Sequence, residues 1–366
     1  MSRQYIGIVF GGQSTEHEVS LQSAINILKA IDKNKYHPVL LRIDKQGEWY
    51  LNNVQHVLNS EEPVIISISK LDKTKINVKD SSVQYFSNDS LRSVYALSQL
   101  DIIFPIIHGK LGEDGTLQGL FRMANLPFVG SDVLGSAISM DKDFTKRLLS
   151  HAGLKVAPWC SFTSSQRINI NPQTLIKRFG LPLFVKPANQ GSSIGISKIY
   201  DIKDFNTALD LAFTFDQKVL IEKFIKGREI ECAILGNDNP QASPCGEILV
   251  NDSFYSYNYK YIEKNIAKII IPAEINYKTS ESIRKISINA FQILECCGMA
   301  RIDVFLTDVG EIIVNEVNTL PGFTDISTYP KLWQVAGLSY KNLINRLIEL
   351  AQEHHTKNSQ LKNSLD

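Results

Sequence analysis

Two adjacent β-patterns late in the chain place the strongest constraint on the fold. Residues Ala300 to Leu306 and Ile312 to Glu316 are rich in apolar β-formers, and an Asp-Val-Gly turn at 308–310 separates them. Successive side chains of a strand alternate between the two faces of a sheet. If the two strands pair as a hairpin, one face carries four polar side chains, namely Arg301, Asp303, Glu316 and Asn318.

This polar set has the chemistry of a magnesium site beside a phosphate. Two carboxylates and an amide oxygen are hard ligands of the kind that Mg²⁺ takes together with water and substrate phosphates. Arg301 suits negative charge that develops on a phosphate or a tetrahedral intermediate. The plainer interpretation is an Arg–Asp surface pair. The turn that begins at Asn318, Thr-Leu-Pro-Gly up to Gly322, exposes backbone N–H groups and favours the functional interpretation.

Composition restricts the class of protein. A chain of 366 residues predicts two or three domains, and 43% hydrophobic with 21% charged residues is typical of globular proteins. The net charge of +1 argues against nucleic-acid binding. No apolar run approaches the roughly 18 residues of a membrane span, and the N-terminus lacks a signal-peptide pattern. The five cysteines show no metal spacing and predict free thiols in a reducing cytoplasm.

Hydrophobic periodicity divides the chain into three regions. Strands at Tyr5 to Phe10, Val39 to Ile43 and Asp101 to Ile107, with a helix after Gly11-Gly12, predict an α/β domain over residues 1–140. The polar stretch at 52–95 is interpreted as a surface elaboration. A central domain is predicted over 141–230 and a C-terminal domain over 231–355, which includes helices at Ser280 to Cys297 and after Ser339. A flexible tail is predicted for 356–366.

A glycine- and serine-rich loop follows the predicted strand that ends at Lys186. Its backbone amides and the hydroxyls of Ser192 and Ser193 can surround phosphate oxygens, although most such loops are ordinary turns. It matches neither a Walker A loop nor a Rossmann fingerprint. Carboxylates at Glu222 and Glu229 can bind an adenine amine or ribose hydroxyls. Lys142 is a further candidate cation, with a solvated helix lysine as the plainer interpretation.

Six stretches of the chain, in this order, resemble the D-alanine–D-alanine ligases of the ATP-grasp superfamily. They span residues 5 to about 350 and are 11–20, 108–115, 191–195, Lys260-Tyr261, 301–303 and 315–324. The resemblance implies an α/β fold of three domains, with an N-terminal parallel-sheet domain and two domains that clamp ATP. The implied reaction phosphorylates the carboxylate of one D-alanine. The amine of a second D-alanine then attacks the acyl phosphate and releases phosphate.

The resemblance also implies partners and residue roles. The implied cofactors are ATP and two Mg²⁺ ions, which Mn²⁺ can replace. The implied protein is a cytoplasmic homodimer whose product is a peptidoglycan precursor. Four groups of residues carry over by position. Glu16, His108, Arg301, Lys260 and Ser327 would bind substrate. Glu16, Ser192, Tyr261, Arg301 and Gly322 would be catalytic. Lys142, Lys186, Ser193, Glu222, Lys223, Ile225, Glu229 and Lys260 would bind ATP. Asp303, Glu316 and Asn318 would bind metal.

Three alternatives stay open. The segment 251–272, which carries alternate tyrosines, is either a β-edge or the lid of this family. The longer family members also include ligases that join D-alanine to D-lactate. Those relatives generally lack a tyrosine at the position of Tyr261, so this residue favours the dipeptide. A regulatory protein that binds ATP without catalysis is the alternative from another class, and the intact polar set at 301–318 argues against it.

Overall fold

Three β-sheets with surrounding helices make up the described part of the chain. The computed structural model describes residues 3–52, 97, 99–250 and 267–362. The predicted surface elaboration therefore lies outside the described residues, apart from Asn52. The same is true of most of the predicted lid, including Lys260 and Tyr261. No helix of the described residues is long and apolar enough to cross a membrane.

The N-terminal sheet is largely parallel, as the sequence predicted. Its strands, in spatial order, are β3 (Trp49–Asn52), β2 (Tyr36–Ile43), β1 (Gln4–Gly11) and β4 (Ile102–Ile106). Strand β1 pairs in parallel with both β2 and β4, while β3 is an antiparallel edge. Helix α1 (His17–Ala30) follows β1. It begins where the parallel strand ends, which is a common position for ligand contacts in α/β domains.

Helices α2 (Thr116–Met123), α3 (Val133–Met140) and α4 (Lys142–His151) connect the first sheet to the second. The Asp141 carboxylate caps α4 by accepting hydrogen bonds from the N–H groups of Asp143 and Phe144, at 3.0 and 3.1 Å. Leu149 of α4 packs into the core of the C-terminal sheet. The position of a helix in the chain does not determine which sheet it covers, and the predicted domain limits stay predictions.

The central sheet is antiparallel. Its order is β5 (Trp159–Thr163), β8 (Lys218–Lys223), β6 (Leu183–Pro187) and β7 (Ser197–Ile199). Helices α5 (Pro172–Phe179) and α6 (Phe205–Phe215) pack against it, and 3₁₀ turns occupy Ser164–Asn169 and Ile202–Asp204. Strand β7 begins two residues later than predicted. Gly195 adopts a φ of +68°, which belongs to the loop rather than to a strand.

The C-terminal sheet has five antiparallel strands. Their order is β11 (Ala267–Ile270), β10 (Gln241–Val250), β9 (Arg228–Gly236), β12 (Gly298–Leu306) and β13 (Ile312–Asn318). Helix α7 (Tyr277–Ile293) covers it, so the prediction of Ser280 to Cys297 was displaced by three to four residues. The Asn276 side chain caps the true start of α7, and Glu295, with a φ of +52°, turns the chain into β12.

The last two helices join the N-terminal and C-terminal sheets. They are α8 (Thr328–Val335) and α9 (Tyr340–Ser359), and Ser339 caps α9 as predicted. Phe323 and Tyr329 are fully buried in a core shared by both sheets, and the Tyr329 hydroxyl donates to the Ile234 carbonyl at 3.0 Å. Helix α9 continues through Ser359 and Lys357 pairs with Asp238 at 2.8 Å, so the first residues of the predicted tail are helical. The flexibility of this tail stays a prediction.

Candidate active site

The hairpin predicted from the sequence is confirmed. Strands β12 and β13 pair so that Arg301 lies opposite Asn318 and Asp303 lies opposite Glu316. A β-bulge after Asp303 shifts the register and ends this polar row. Arg301, Glu316 and Asn318 line a cavity of about 650 Å³ where the three sheets meet, whereas Asp303 does not line it.

A bidentate ion pair joins Arg301 to Asp303. The Nε and Nη2 atoms of Arg301 donate to the two Asp303 oxygens at 2.8 and 2.7 Å. Burial by itself would lower the pKa of Arg301, but the charges of Asp303 and Glu231 hold it above its ordinary range. Burial raises the pKa of Asp303 to about 7; the charge of Arg301 opposes this rise, while the carboxylate of Glu231 adds to it. The pair is therefore a tightly coupled charge centre at the cavity wall.

Glu231 belongs to this centre and was not predicted. It lies on β9 directly opposite Asp303, and its Oε1 is 3.4 Å from Arg301 Nε. Three carboxylates thus form one row across adjacent strands, those of Glu231, Asp303 and Glu316. The alternation of Glu229 and Glu231 along β9 was the available signal, since it places both side chains on one face.

The donor set fits a hard divalent cation. Asn318 Oδ1 is buried and has no hydrogen-bond partner among the described residues, although its residue lines the cavity. Within the described ranges no group of three or more His, Cys, Asp or Glu side chains has metal-binding spacing. The predicted set has only two carboxylates, with one amide. Both oxygens of Asp303 already accept hydrogen bonds from Arg301. Metal binding by Asp303 would require this pair to rearrange, so the metal assignment stays a prediction.

Glu16 and Ser192 meet across the cavity. The Ser192 hydroxyl donates a hydrogen bond to Glu16 Oε1, and Glu16 is nearly buried at the start of α1. Ser192 has a φ of +49°, an uncommon conformation for a residue with a side chain. The loop thus adopts a strained backbone that holds this contact. The third member of the predicted triad, Tyr261, lies outside the described residues.

His108 lies at the end of the N-terminal sheet and lines the same cavity. Its Nδ1 donates to the Leu320 carbonyl at 3.0 Å, because a carbonyl can only accept. Burial lowers the His108 pKa, although the nearby Glu16 carboxylate opposes this effect. The neutral ring therefore carries its proton on Nδ1. Its buried Nε2 has no hydrogen-bond partner among the described residues and is an acceptor at the cavity.

Glu113 also lines the cavity, and like Glu231 it had no predicted role. Its carboxylate accepts a hydrogen bond from the Gly109 N–H. Burial and the neighbouring Glu16 carboxylate raise the pKa of Glu113 to about 8, against hydrogen bonds from the Gly109 and Leu320 backbone. Glu113 is therefore mostly protonated at neutral pH. The motif at 108–115 contained the signal, since it places an acid five residues after His108.

The loop at Gly322 is built closely against Ser327. A Cβ added to Gly322 would lie 2.7 Å from Ser327 Oγ, so a larger residue would displace that hydroxyl. Ser327 Oγ accepts from the Thr324 N–H at 3.0 Å, and both Gly322 and Ser327 line the cavity. Phe323, between them, is fixed in the shared core. The oxyanion role of Gly322 and the substrate role of Ser327 stay predictions.

The predicted ATP residues divide into two sets. Lys142 lines the cavity, and its ammonium donates to the Gln190 carbonyl at 2.5 Å; burial lowers its pKa. Lys186 and Glu222 instead form a buried ion pair at 3.0 Å. Lys146, which was not predicted, reaches the other oxygen of Glu222 at 3.1 Å. Its spacing of four residues from Lys142 on α4 was a usable signal.

The remaining predicted ATP residues lie away from the cavity lining. Lys223 and Glu229 are exposed, at the end of β8 and the beginning of β9, and Ile225 lies in the link between these strands. Ser193 lies in the glycine-rich loop with a φ of +61°. The structure does not bring these four residues into the 650 Å³ cavity. Glu229 shares its face of β9 with Glu231, which does line the cavity.

Comparisons with known proteins agree across the whole chain. Two protein-family models match, the D-ala D-ala ligase N-terminus over residues 5–131 and the D-ala D-ala ligase C-terminus over residues 148–349. A D-alanine–D-alanine ligase of Shouchella clausii is 53% identical over 366 residues, covering 100% of this chain and 99% of its own length. D-alanine–D-alanine ligase A of Escherichia coli K12 is 53% identical, covering 100% of both chains.

Solved structures support the same relationship. The D-alanine–D-alanine ligase from Coxiella burnetii superposes with a TM-score of 0.78 at 34% identity, covering 98% of both chains. The VanG D-Ala:D-Ser ligase from Enterococcus faecalis gives a TM-score of 0.78 at 36% identity, covering 96% of this chain and 100% of its own. The mixed sheets described above are accordingly those of an ATP-grasp fold. The chain therefore belongs to the D-alanine–D-alanine ligase family.

Proposed function

We infer that this chain is an ATP-dependent ligase that joins two D-alanine molecules into the dipeptide used for peptidoglycan precursors. The observation that carries this conclusion is the identity of 53% over all 366 residues with relatives named D-alanine–D-alanine ligase. Neither the D-lactate alternative nor the regulatory alternative has an observation in its favour.

The reaction needs two steps at one cavity. A carboxylate is a poor electrophile, so ATP first converts the carboxylate of one D-alanine into an acyl phosphate. The amine of the second D-alanine then attacks the acyl carbon, and phosphate leaves. Water must be excluded throughout, because it would hydrolyse the acyl phosphate. The hydrogen bond between Ser192 and Glu16 supports this requirement, since it joins two segments that line the cavity.

We propose the following substrate contacts within the cavity. The Glu16 carboxylate binds the ammonium of the first D-alanine, with the neutral His108 beside it. Ser327 and Lys260 bind the carboxylate of the second D-alanine, and Tyr261 completes the contact between Ser192 and Glu16. The guanidinium of Arg301 and the backbone N–H of Gly322 stabilise the oxyanion of the tetrahedral intermediate. This arrangement is supported by the position of five of these residues in the lining of one cavity, namely Glu16, His108, Arg301, Gly322 and Ser327.

Asp303, Glu316 and Asn318 would hold magnesium, and we propose two ions with Mn²⁺ as a substitute. Bound there, the ions would neutralise charge on the phosphate oxygens. Asn318 Oδ1 supports this assignment, since it has no hydrogen-bond partner in the part of the chain that the structure describes. For the nucleotide, we propose contacts with Lys142, Lys186, Ser193, Glu222, Lys223, Ile225, Glu229 and Lys260, between the central and C-terminal sheets. The buried pair of Lys186 and Glu222 supports the central-sheet part of this site.

A phosphate-release assay tests the proposed reaction. Purified protein with ATP and Mg²⁺ is given D-alanine alone, D-alanine with D-lactate, D-alanine with D-serine, or no amino acid. We expect phosphate release and D-alanyl-D-alanine with D-alanine alone. Faster formation of a mixed product with D-lactate or D-serine would contradict the assignment of the second substrate. ATP binding without phosphate release under any of these conditions would instead support the regulatory alternative.

Assembly and location follow the family resemblance. We propose a homodimer, which size-exclusion chromatography with light scattering would test, with a single species of twice the 41.1 kDa chain mass as the expected result. We propose a cytoplasmic location, which the five free cysteines support. Fractionation of the source cells would test the location.

A further inference from the structure

Glu231 is the cavity carboxylate to which the family resemblance assigns no role. It lies on β9 directly opposite Asp303, which lies opposite Glu316 on the other side. The three side chains therefore share one face of the sheet across three adjacent strands. Glu231 is 8% exposed and lines the cavity.

The two oxygens of Glu231 have different environments. Oε1 lies 3.4 Å from Arg301 Nε, which is too long for a strong hydrogen bond. Oε2 is buried and has no hydrogen-bond partner among the described residues. A buried carboxylate oxygen without a donor is costly. The Glu231 carboxylate thus lies beside the Arg301 guanidinium without forming a strong hydrogen bond to it.

The donors of Arg301 explain what such a placement can do. Both Nε and Nη2 are directed to the oxygens of Asp303, at 2.8 and 2.7 Å. Those same oxygens are the ones that a cation would need. If Asp303 turned toward a cation, the Nε–H and Nη2–H groups of Arg301 would lose these acceptors. Without a second carboxylate to hold it, the Arg301 guanidinium could then leave the position from which it would stabilise the oxyanion.

We propose that Glu231 is a positioning residue that accepts the hydrogen bonds of Arg301 when Asp303 binds metal. The effect of Glu231 on catalysis rests on the proposed ligase function. Its effect on Arg301 rests only on the contacts among Glu231, Arg301 and Asp303. Oε1 is already adjacent to Nε, and Oε2 is available for a second bond, so Glu231 can replace Asp303 as a bidentate partner. Glu231 thereby makes metal binding by Asp303 and orientation of Arg301 compatible.

A double-mutant cycle on metal binding tests this role. Mn²⁺ affinity in the presence of ADP is measured by calorimetry for the full-length wild type, Glu231→Gln, Arg301→Lys and the double variant. In the wild-type background we expect Glu231→Gln to weaken Mn²⁺ binding about tenfold, the size typical of residues that orient metal ligands. In the Arg301→Lys background, where no bidentate pair holds Asp303, we expect a loss below about twofold, which would show coupling through Arg301.

Two results would overturn the proposal. Equal losses in both backgrounds would mean that Glu231 binds the cation itself or acts only through its charge. No loss in the wild-type background would mean that Asp303 binds metal without help from Glu231. Thermal unfolding identifies any variant that fails to fold, and Glu231→Asp, which keeps the charge on a shorter side chain, then replaces Glu231→Gln. The matched control is Glu311→Gln, a half-exposed carboxylate on the far turn of the hairpin.

Activity supplies a second readout. We expect Glu231→Gln to lower kcat for phosphate release about tenfold while KM for D-alanine changes less than about twofold, because Arg301 acts on the intermediate. A rise in KM with unchanged kcat would overturn the positioning role. If the wild type releases no phosphate with D-alanine, the ligase function fails, yet the calorimetric cycle still decides whether Glu231 acts through Arg301.

Discussion

Ser192 donates a hydrogen bond to the Glu16 carboxylate, although 176 residues separate them in the chain. The contact joins the glycine-rich loop of the central sheet to the first helix of the N-terminal sheet. It thus connects the part of the protein proposed to bind phosphate with the part proposed to bind D-alanine. In the sequence, Glu16 and Ser192 belong to separate stretches of the family pattern, 11–20 and 191–195.

Replacing Ser192 by Ala should impair catalysis more than folding. A hydrogen bond to a charged group contributes about 1.5–3 kcal/mol, which corresponds to a loss of about tenfold to a hundredfold in kcat/KM for D-alanine. Steady-state phosphate release measures this effect. Ser282→Ala, which removes a hydroxyl that donates to the Lys278 carbonyl within α7, is the control. Wild-type kcat/KM in Ser192→Ala would show that the contact with Glu16 has no catalytic role.

Replacing Glu316 by Gln should abolish turnover while the fold remains intact. The change removes one charge from the proposed metal set but keeps the shape of the side chain. Since metal ions contribute several kcal/mol to charge stabilisation, kcat should fall by about a hundredfold or more. Phosphate release measures turnover, and circular dichroism with thermal unfolding checks the fold. Activity near that of the Glu311→Gln control would mean that Glu316 is not a metal ligand.

The pair Lys186–Glu222 and its neighbour Lys146 predict unequal costs of substitution. Both lysines contact one carboxylate, and Lys146 and Glu222 are each 2% exposed. Glu222→Gln leaves two buried ammonium groups without a counter-charge and should lower the free energy of unfolding by about 3–5 kcal/mol. Lys146→Met leaves the Lys186–Glu222 ion pair, whose charges cancel. This variant should lower the free energy of unfolding by less than half as much as Glu222→Gln. Denaturant unfolding measures both variants. Equal losses would contradict the charge balance described here.

Glu113 predicts a pH dependence of stability. Burial raises its pKa in the folded protein from 4.5 to about 8, so the folded state keeps a proton that the unfolded chain releases within this window. The contribution of Glu113 to stability is therefore fully present below about pH 4.5 and is lost as the pH rises toward 8. Denaturant unfolding between pH 5 and 9 measures it. Glu113→Gln should remove this part of the slope, and Glu311→Gln should keep it. An unchanged slope in Glu113→Gln would assign the effect to another group.

Local sequence patterns predicted the strands of the site better than the side-chain contacts within it. The alternation at Arg301 and Asp303 correctly predicted a paired hairpin, since a period of two has only one arrangement that buries the apolar face. The same pattern did not predict that Arg301 would engage both oxygens of Asp303. Nor did it indicate Glu231, because β9 joins β12 only through a pairing of strands more than sixty residues apart.

The sequence by itself determined the family, the order of the motifs and the hairpin that carries Arg301, Asp303, Glu316 and Asn318. Hydrophobic periodicity and motif spacing are local properties, so a single chain displays them directly. Only the tertiary structure decided that α4 packs on the C-terminal core, that Lys146 shares Glu222 with Lys186, and that Ser192 reaches Glu16. These contacts depend on which elements pack together, and packing between distant segments is not encoded in local periodicity.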